Sequence, residues 1–471
     1  MVIRFCLLPV ALAGLLSLPV PLPAQPPADE DYHVYTDSPR LLLTKQRLRL
    51  LQRERQRQSM RWQQFDALIS GGAALPEPGF ASALYYQVAR DPASARKAID
   101  WALSDAADPQ KDLRQLALVF DWCAPAMSKP QADRLGSKIE RALAAPAPAV
   151  DDIRRHSARA IAAIAIADRL PDHADQALRV ELVDWWNGQV VKRILNGEPA
   201  IPREQFYFLY EMFHAVRDNL KIDLREPAGA YFKTLPVDQI AGHYPSPLEA
   251  PENEYRVPVY IRDGEPDLTD AARSRAAEMA MVAFDDNALE SQYLQGWLMQ
   301  DRFLMKGGLG AIYEFLWANP YQPGLSYFHI PLVFHEASTG HVFARTSWDE
   351  DATWVGYFDG RLQMFADGHI QTLRAGAATK PVRIGDALLI SAENKDTAKF
   401  RATAEAVFVL NLVPRSTYEV EIDDQEMSEA ATDVGGVASV VPEIDGTVRD
   451  GVVHFTGAPL PDGTRVKIRA V

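Results

Sequence analysis

The chain has 471 residues, of which 47% are apolar and 24% charged, a composition typical of globular proteins. At about 100–200 residues per domain, this length predicts two or three domains. The 63 acidic residues outnumber the 49 Lys and Arg residues, and the formal net charge of −14 excludes the broad basic surface of a nucleic-acid-binding protein. With 27 glycines and 33 prolines, the chain is neither collagen-like nor of low complexity.

The first residues have the pattern of a cleavable secretory signal. Arg4 supplies one positive charge, an apolar run extends to Val20, and Ala24 follows a series of prolines. The run contains Pro9 and is short for a bilayer span, although a retained membrane anchor is the alternative. We therefore expect a signal peptide over residues 1–24, a periplasmic or secreted location, and a mature chain without stable membrane insertion.

The chain contains two cysteines, Cys6 and Cys123. Because Cys6 lies in the predicted signal, the mature chain has one thiol and cannot form an internal disulfide. We expect Cys123 to be a buried apolar residue.

Helix-like spacing of apolar residues dominates the chain from Arg40 to Asn319. The links are short, which favours antiparallel helical hairpins, and no fixed repeat is present, which favours a closed helical barrel over a regular solenoid. Segment 223–269 is rich in Pro and Gly and is predicted to be a long functional loop. The clearest helical stretches are 40–58, 132–144, 153–168, 177–195, 203–220, 271–284 and 302–317.

From about residue 327 the apolar residues follow a period of two, and Asp-Gly pairs mark turns. Helices followed by strands predict an α+β chain with a helical domain over 25–325 and an antiparallel β-sandwich domain over 326–471. The predicted strands are 340–346, 352–358, 400–410, 417–422, 437–441, 452–456 and 465–471.

Four short stretches are spread along the mature chain: Ser38-Pro-Arg-Leu-Leu-Leu-Thr44, Leu116-Ala-Leu-Val-Phe-Asp-Trp-Cys123, Arg155-His156-Ser157 and Arg345-Thr-Ser-Trp348-Asp-Glu-Asp-Ala352-Thr353. In this order they resemble motifs of the heparinase II/III group of polysaccharide lyases. The resemblance implies an incomplete N-terminal (α/α) toroid of helical hairpins followed by a C-terminal antiparallel β-sandwich. It also implies β-elimination in a uronate-containing polysaccharide.

The chain departs from the family pattern at two places. Arg155 stands where the family usually has Asn before its catalytic His. Leu362, Met364 and Ala366 stand where family members often carry two His and one Asp that bind a structural metal, and none of the three is a good metal ligand. We therefore predict no metal site and no cofactor.

Elimination next to a uronate carboxylate needs cations that neutralise the carboxylate, a base that removes the proton, and an acid that reaches the leaving oxygen. His156, in the first turn of an apolar helix, matches the family's catalytic His and is expected to face a domain rim. Arg155 and Arg159 are the predicted partners of the carboxylate. A solvated His at a helix N-terminus is the alternative.

Tyr207, Tyr210 and His214 are spaced at i, i+3 and i+7 and share one helix face. Tyr210 follows His156 by 54 residues, near the His–Tyr separation of the family, and is the predicted general acid or base. Tyr207 is the second choice for this role, and His214 is a predicted substrate contact. The alternative is an aromatic stripe in the core.

Further candidate contacts lie outside these helices. His243 and Tyr255, in the long segment 223–269, are predicted to bind substrate, with plain surface positions as the alternative. His335 and His341 occupy strand positions without convincing metal-ligand spacing.

Three functions remain open at this point. The first is a polysaccharide lyase that cleaves a uronate-containing polysaccharide or oligosaccharide. The second is an inverting glycoside hydrolase, which needs two opposed carboxylates; Glu204 and Glu211 share one helix and make a poor pair. The third is a glycan-binding relative that has lost the chemistry.

Overall fold

The computed structural model describes residues 32, 34, 36–198, 201–250, 253–255, 257–260, 267–300, 307–373, 381–392, 399–402, 406–422, 425–440, 443–444, 447–448, 451–456 and 466–470. The predicted signal over 1–24 lies outside these residues. Tyr32–Val471 form one compact unit, so the predicted boundary between 325 and 326 stays a prediction.

Helices make up the first part of the described chain. They are α1 (Lys45–Gln56), α2 (Met60–Ser70), α3 (Pro78–Ala89), α4 (Pro92–Leu103), α5 (Leu113–Trp122), α6 (Lys129–Leu143), α7 (Ile153–Ile166), α8 (Pro171–Leu178), α9 (Val191–Leu195), α10 (Phe206–Leu220), α11 (Tyr231–Ala241), α12 (Leu268–Phe284), α13 (Leu289–Gln300) and α14 (Gly307–Trp317). A π-helical segment, Arg179–Val190, joins α8 to α9.

Local capping explains where several predicted helices begin. Ser128 and Gln131 form a capping box at the start of α6, and the Asp152 side chain accepts from the Arg155 backbone at the start of α7. The segment before α1 is held by α5: the Asp121 side chain of α5 accepts from the backbone nitrogens of Arg40 and Leu41 at 2.8 and 2.9 Å. The first two of the four family-like stretches therefore contact each other.

The expectation of a structureless loop over 223–269 is wrong in its middle. Tyr231–Ala241 forms α11 although Pro236 lies inside it. Proline is costly in a helix interior, but burial of Phe232, Leu235 and Ile240 supplies the packing that holds this helix.

Helices that are not neighbours in the chain pack on one another in a series. α3 packs on α5, α5 on α7, α7 on α10, α10 on α12, α12 on α14, and α14 on α2, which also contacts α3. All but two residues of α7 and of α10 are buried, as expected for helices that are surrounded by protein. Cys123, which follows α5, is buried, as predicted.

Strands make up the rest of the described chain. They are β1 (Leu248–Ala250), β2 (Asn253–Tyr255), β3 (Val333–Glu336), β4 (His341–Arg345), β5 (Trp354–Phe358), β6 (Arg361–Ala366), β7 (His369–Leu373), β8 (Val382–Ile384), β9 (Ala387–Ser391), β10 (Lys399–Ala402), β11 (Ala406–Leu410), β12 (Thr417–Ile422), β13 (Gln425–Ala431), β14 (Ala438–Val440), β15 (Glu443–Ile444), β16 (Thr447–Val448), β17 (Gly451–Thr456) and β18 (Val466–Ala470). The strands β1 and β2 pair with each other between α11 and α12, and the others follow α14.

Three larger sheets form from these strands. The first sheet has the order β3-β4-β5-β6-β7, the second β14-β11-β9-β8, and the third β10-β17-β18-β12-β13. The first sheet is antiparallel throughout, whereas β9 pairs with β11 and β12 with β18 in parallel, so the expectation of purely antiparallel strands holds only in part.

The first sheet is covered on both faces, by the second sheet on one side and by the end of α11 on the other. Alternate residues such as Val342 and Ala344 pack against Leu389 and Phe408 of the second sheet. Residues of the opposite face, including Phe343, pack against the end of α11 and its continuation. Within the described ranges, no helix is long and apolar enough to cross a membrane.

Candidate functional site

His156 is buried and paired, so the expectation that it faces a rim is wrong. Its Nδ1 lies 2.6 Å from Glu181, its Nε2 lies 3.2 Å from the Ala149 carbonyl oxygen, and its ring stacks on Trp185 with centroids 4.2 Å apart. Arg159 donates to the same Glu181 at 2.5 Å. A buried carboxyl group needs polar partners, and Glu181 obtains an imidazole and a guanidinium from α7.

Arg155 remains partly exposed on the outside of the helices. It lies 3.8 Å from Asp152 and donates to the Gln110 side chain at 3.1 Å. These contacts belong to the helix start rather than to a ligand site.

Tyr210 lies in an aromatic cluster, as the core-stripe alternative predicts. Its ring meets Phe213, Phe232 and Phe284 edge-on, with centroids 5.4–6.4 Å apart. Burial raises the pKa of the Tyr210 phenol well above its ordinary value, which makes phenolate formation costly. Tyr210 also borders a small cavity of about 210 Å³.

His156 and Tyr210 do not meet at a common site. A series of ring contacts runs from His156 through Trp185, Trp186 and Phe213 to Tyr210. In the part of the chain that the structure describes, His156 lines neither the small cavity beside Tyr210 nor a larger cavity between the helices and the first sheet.

Tyr207 belongs to a buried ion network between the helices. Its hydroxyl donates to Glu211 at 2.5 Å and accepts from the Trp317 indole at 3.2 Å. Arg114 donates to Glu211 and to Glu77 at 2.5 and 2.8 Å. Each polar group therefore has a protein partner, which is the arrangement of a structural network.

The other predicted substrate contacts, His214, His243 and Tyr255, do not lie together. His214 donates from Nε2 to the Ala280 carbonyl oxygen at 2.9 Å, and burial lowers its pKa well below the ordinary value. His243 is buried with its Nε2 2.6 Å from Glu278. The backbone of Tyr255 lies in β2, but its side chain lies outside what the structure describes.

The larger cavity, of about 730 Å³, lies between the helices and the first sheet. Its helical wall comes from the starts of α10 and α12 and from α11. Its other wall comes from the β3–β4 turn, the start of β4 and the β5–β6 turn. Clefts of this size between structural layers are common ligand sites.

His341 at the start of β4 stands between two carboxylates of this cavity. Its Nδ1 lies 2.8 Å from Asp238 of α11, and its Nε2 lies 4.0 Å from Asp359 in the β5–β6 turn. Burial opposes the charged ring, but Asp238 and then Asp359 outweigh burial and raise the pKa of His341 to about 10. The cavity therefore holds an imidazolium at neutral pH.

Tyr231, at the start of α11, lines the same cavity. Burial first, and then the charges of Asp238 and Asp359, raise the pKa of its phenol well above the ordinary value. The hydroxyl keeps its proton, as that of Tyr210 does, and releases it only to a strongly basic acceptor such as a departing alkoxide.

Arg203, just before α10, brings a guanidinium to the cavity wall. Its Nε donates to Ser274 at 3.0 Å, and its Nη2 donates to the Gln239 carbonyl oxygen at 2.9 Å and to Glu278 at 3.3 Å. Burial lowers the pKa of Arg203, against the charges of Glu278 and Asp238. These three hydrogen bonds fix the position of the Nε and Nη2 edge of the guanidinium.

Further carboxylates line the same cavity, and two of them have local partners. Asp267 caps α12 by accepting from the Thr269 backbone at 2.7 Å, and Asp270 pairs with Arg273 at 3.2 Å. Among the residues that the structure describes, no group of three or more His, Cys, Asp or Glu side chains could hold a metal ion.

Sequence reasoning missed His341 as a site residue, although a signal was present. In a β4–β5 hairpin that pairs Val342 with Tyr357, the strand start at His341 comes to the same edge as the Asp359-Gly360 turn. Asp238 could not be found this way, because segment 223–269 was expected to be a loop.

The chain matches no protein-family model and no curated protein. Evidence on its function therefore comes from the geometry of this cavity.

Proposed function

We propose that the protein is a polysaccharide lyase whose active site is the 730 Å³ cavity between the helices and the first sheet. The observation that carries the proposal is that a protonated phenol, an imidazolium and a guanidinium line this one cavity: Tyr231, His341 and Arg203. They supply the acid and the cations that elimination from a uronate requires, and Asp359 of the same cavity supplies a carboxylate as the base. All four are other residues than those predicted from the sequence.

The cations recognise the uronate carboxylate. Two donors are suited to this: the Arg203 guanidinium, and Nε2 of His341, whose neighbour Asp359 is 4.0 Å away and beyond hydrogen-bond distance. Neutralising the carboxylate stabilises the enolate that develops when the adjacent proton leaves.

Proton transfer then involves Asp359 and Tyr231. The C5 proton passes to the Asp359 carboxylate, its electron pair forms the C4=C5 double bond, and the C4–O bond breaks. The departing oxygen takes the Tyr231 proton, and transfer from Asp359 back to Tyr231 restores both groups. This return is favourable because the pKa of the Tyr231 phenol is raised well above its ordinary value, so the phenolate is a much stronger base than a carboxylate.

The architecture fits the family resemblance that suggested this chemistry. The alternating contacts of α3, α5, α7, α10, α12, α14 and α2 support an incomplete (α/α) toroid. The shared core of the first and second sheets supports a β-sandwich. An exported location, predicted from residues 1–24, is part of the same proposal because polysaccharides are extracellular substrates.

A glycoside hydrolase is the second candidate. Asp238 and Asp359 flank His341 from opposite ends of its ring, and Glu204, Asp267 and Asp270 also line the cavity. Paired carboxylates are the catalytic groups of most glycoside hydrolases. A glycan-binding protein without turnover is the third candidate.

The test uses the mature chain with alginate, heparan sulfate, hyaluronan and pectate. Elimination produces an unsaturated uronate with ultraviolet absorbance, hydrolysis produces reducing ends without it, and binding alone produces neither. We expect the absorbance with at least one polymer, and its loss by two orders of magnitude or more in Tyr231→Phe, since general acid catalysis contributes about 10²–10⁴-fold.

Tyr210→Phe is the matched control, because it removes a buried phenol from the other cavity. It is expected to keep turnover near that of the unmodified chain. Loss of absorbance in Tyr210→Phe with full activity in Tyr231→Phe would reject the cavity as the active site.

A further inference from the structure

Arg203 is held in place by a buried carboxylate behind the cavity wall. Glu278 of α12 is fully buried, and its Oε1 lies 3.3 Å from Nη2 of Arg203. Within the described residues, Arg203 lines the cavity and Glu278 does not. Glu278 therefore acts on a ligand through the side chains that it touches and through its own negative charge. Because that charge opposes an acidic ligand, a loss of affinity on its removal reports on positioning.

Glu278 is charged and is shared among three cations. His243 lies 2.6 Å from Oε1, and Arg275 lies 3.5 Å from Oε2. Burial opposes ionisation, but His243 and the two arginines outweigh it and lower the pKa of Glu278 to about 2. Because an ionised carboxylate only accepts hydrogen bonds, Nε2 of His243 carries the proton in this contact. Nε2 also lies 3.1 Å from Nη2 of Arg203, and since both nitrogens then donate, they share Oε1 of Glu278 rather than bond to each other.

Gly242 lies beside the opposite edge of the Arg203 guanidinium, at Nη1, and leaves space for it because glycine has no side chain. A methyl group at this position would lie 2.8 Å from Nη1 of Arg203 and 3.4 Å from the Phe343 ring. It would also lie 3.1 Å from the Asp238 carbonyl oxygen. The φ angle of Gly242 is −82°, which any residue adopts, so an added methyl group acts by displacing the guanidinium rather than by straining the backbone.

We propose that Glu278 is a positioning residue, supported by His243, that fixes the Arg203 guanidinium for recognition of a substrate carboxylate. This inference rests on the proposed function, because it assigns Arg203 to the uronate. It also gives the sequence-predicted contact His243 a role one step removed from the ligand.

A second buried glutamate serves as a control for a purely structural role. Glu181 is also fully buried and also binds one His and one Arg, His156 at 2.6 Å and Arg159 at 2.5 Å. Neither Glu181 nor its two partners line the cavity in the described part of the chain. Glu181→Gln therefore reproduces the loss of a buried carboxylate without touching Arg203.

The experiment measures binding by calorimetry and needs no turnover. The probes are trigalacturonate, trimannuronate and a hyaluronan tetrasaccharide, each beside its carboxyl-reduced neutral form. The unmodified chain should bind at least one acid form more tightly than its neutral form. Glu278→Gln should weaken the acid form by up to about tenfold, because the freed Arg203 side chain must then be ordered when the ligand binds, and it should change the neutral form little.

The route through Arg203 is tested by a double-mutant cycle. Arg203→Ala should lose at least as much affinity as Glu278→Gln, and the double variant should lose no more than Arg203→Ala alone. Glu278→Asp should restore part of the affinity, and Glu181→Gln should retain it. Gly242→Ala, which changes no charge, should also weaken the acid form and covers the case in which Glu278→Gln does not fold.

Several results would overturn the inference: no preference for the acid forms, full affinity in Glu278→Gln, an equal loss in Glu181→Gln, or additive losses in the double variant. Failure of the proposed function has a different signature. In that case the acid forms bind and depend on Glu278, while none of the four polymers yields an unsaturated product.

Discussion

His341 of β4 and Asp238 of α11 connect the first sheet to the helices through a contact of 2.8 Å between Nδ1 and Oδ1. The two residues are 103 positions apart in the chain, and both line the larger cavity. The same ion pair therefore supports the junction of the two layers and sets the charge of the proposed active site.

This pair makes stability depend on pH in a defined window. The folded state raises the pKa of His341 from 6.5 to about 10, so protonation favours the folded chain. The contribution is fully present below pH 6.5 and is lost as the pH rises through 10. We expect the free energy of unfolding to fall by a few kcal/mol across this window, measured by urea denaturation.

His341→Gln is the reference for that measurement. Its stability should be lower than that of the unmodified chain at about pH 6 and should approach it near pH 10. A constant difference between the two chains across this range would show that His341 does not titrate in it.

Much of the fold could be predicted because it depends on local patterns. Asp359 and Asp367 have positive φ angles of 49° and 52° and precede Gly360 and Gly368 in the predicted hairpin turns. The cap at Ser128 likewise follows from neighbouring residues. Such features need no knowledge of distant contacts.

Only the kinds of chemical group in the site could be predicted from the sequence, and not the residues that carry them. The sequence predicts an imidazole, a phenol and arginines, but whether a given His faces solvent or a buried carboxylate depends on residues far away in the chain. Glu181 lies 25 positions from His156, and Glu278 lies 35 positions from His243. Helical periodicity carries no information on these pairs.

The contact between His156 and Glu181 predicts a structural rather than a catalytic effect of substitution. His156→Ala removes the 2.6 Å imidazole contact of the buried Glu181 and leaves Glu181 with Arg159. We expect a loss of about 1–3 kcal/mol in the free energy of unfolding, because the carboxyl group loses one buried hydrogen bond but keeps its guanidinium partner. The folded variant should bind ligands in the cavity with unchanged affinity, since His156 does not line it among the described residues. Unchanged stability with abolished turnover would instead support the catalytic role predicted from the sequence.

The Tyr207 hydroxyl should likewise affect stability. In Tyr207→Phe, Glu211 loses a donor at 2.5 Å and the Trp317 indole loses its acceptor at 3.2 Å, both in a buried site. We expect a loss of about 1–3 kcal/mol in thermal or denaturant unfolding. Tyr85→Phe is a milder control, because the Tyr85 hydroxyl donates to Asp66 at a partly exposed position. A smaller loss in Tyr207→Phe than in this control would contradict the buried network.

Gly340 makes a close backbone contact between the cavity wall and the turn before β14. Its φ angle is +72°, and a methyl group there would lie 2.3 Å from the Cα atom of Gly435. Gly340→Ala should therefore combine the cost of a left-handed conformation with a backbone clash that only a shift of the β3–β4 turn can relieve.

Gly368→Ala separates the two effects, because Gly368 has a similar φ of +77° but no atom within 4 Å of the added methyl group. We expect about 1–2 kcal/mol from strain alone in Gly368→Ala, and a clearly larger loss of unfolding free energy in Gly340→Ala. Because Gly340 is followed directly by His341, the shifted turn should also lower the affinity of the cavity for acid oligosaccharides, whereas Gly368→Ala should leave it unchanged. Equal effects of the two substitutions on both stability and binding would mean that the approach of Gly340 to Gly435 does not shape this wall of the cavity.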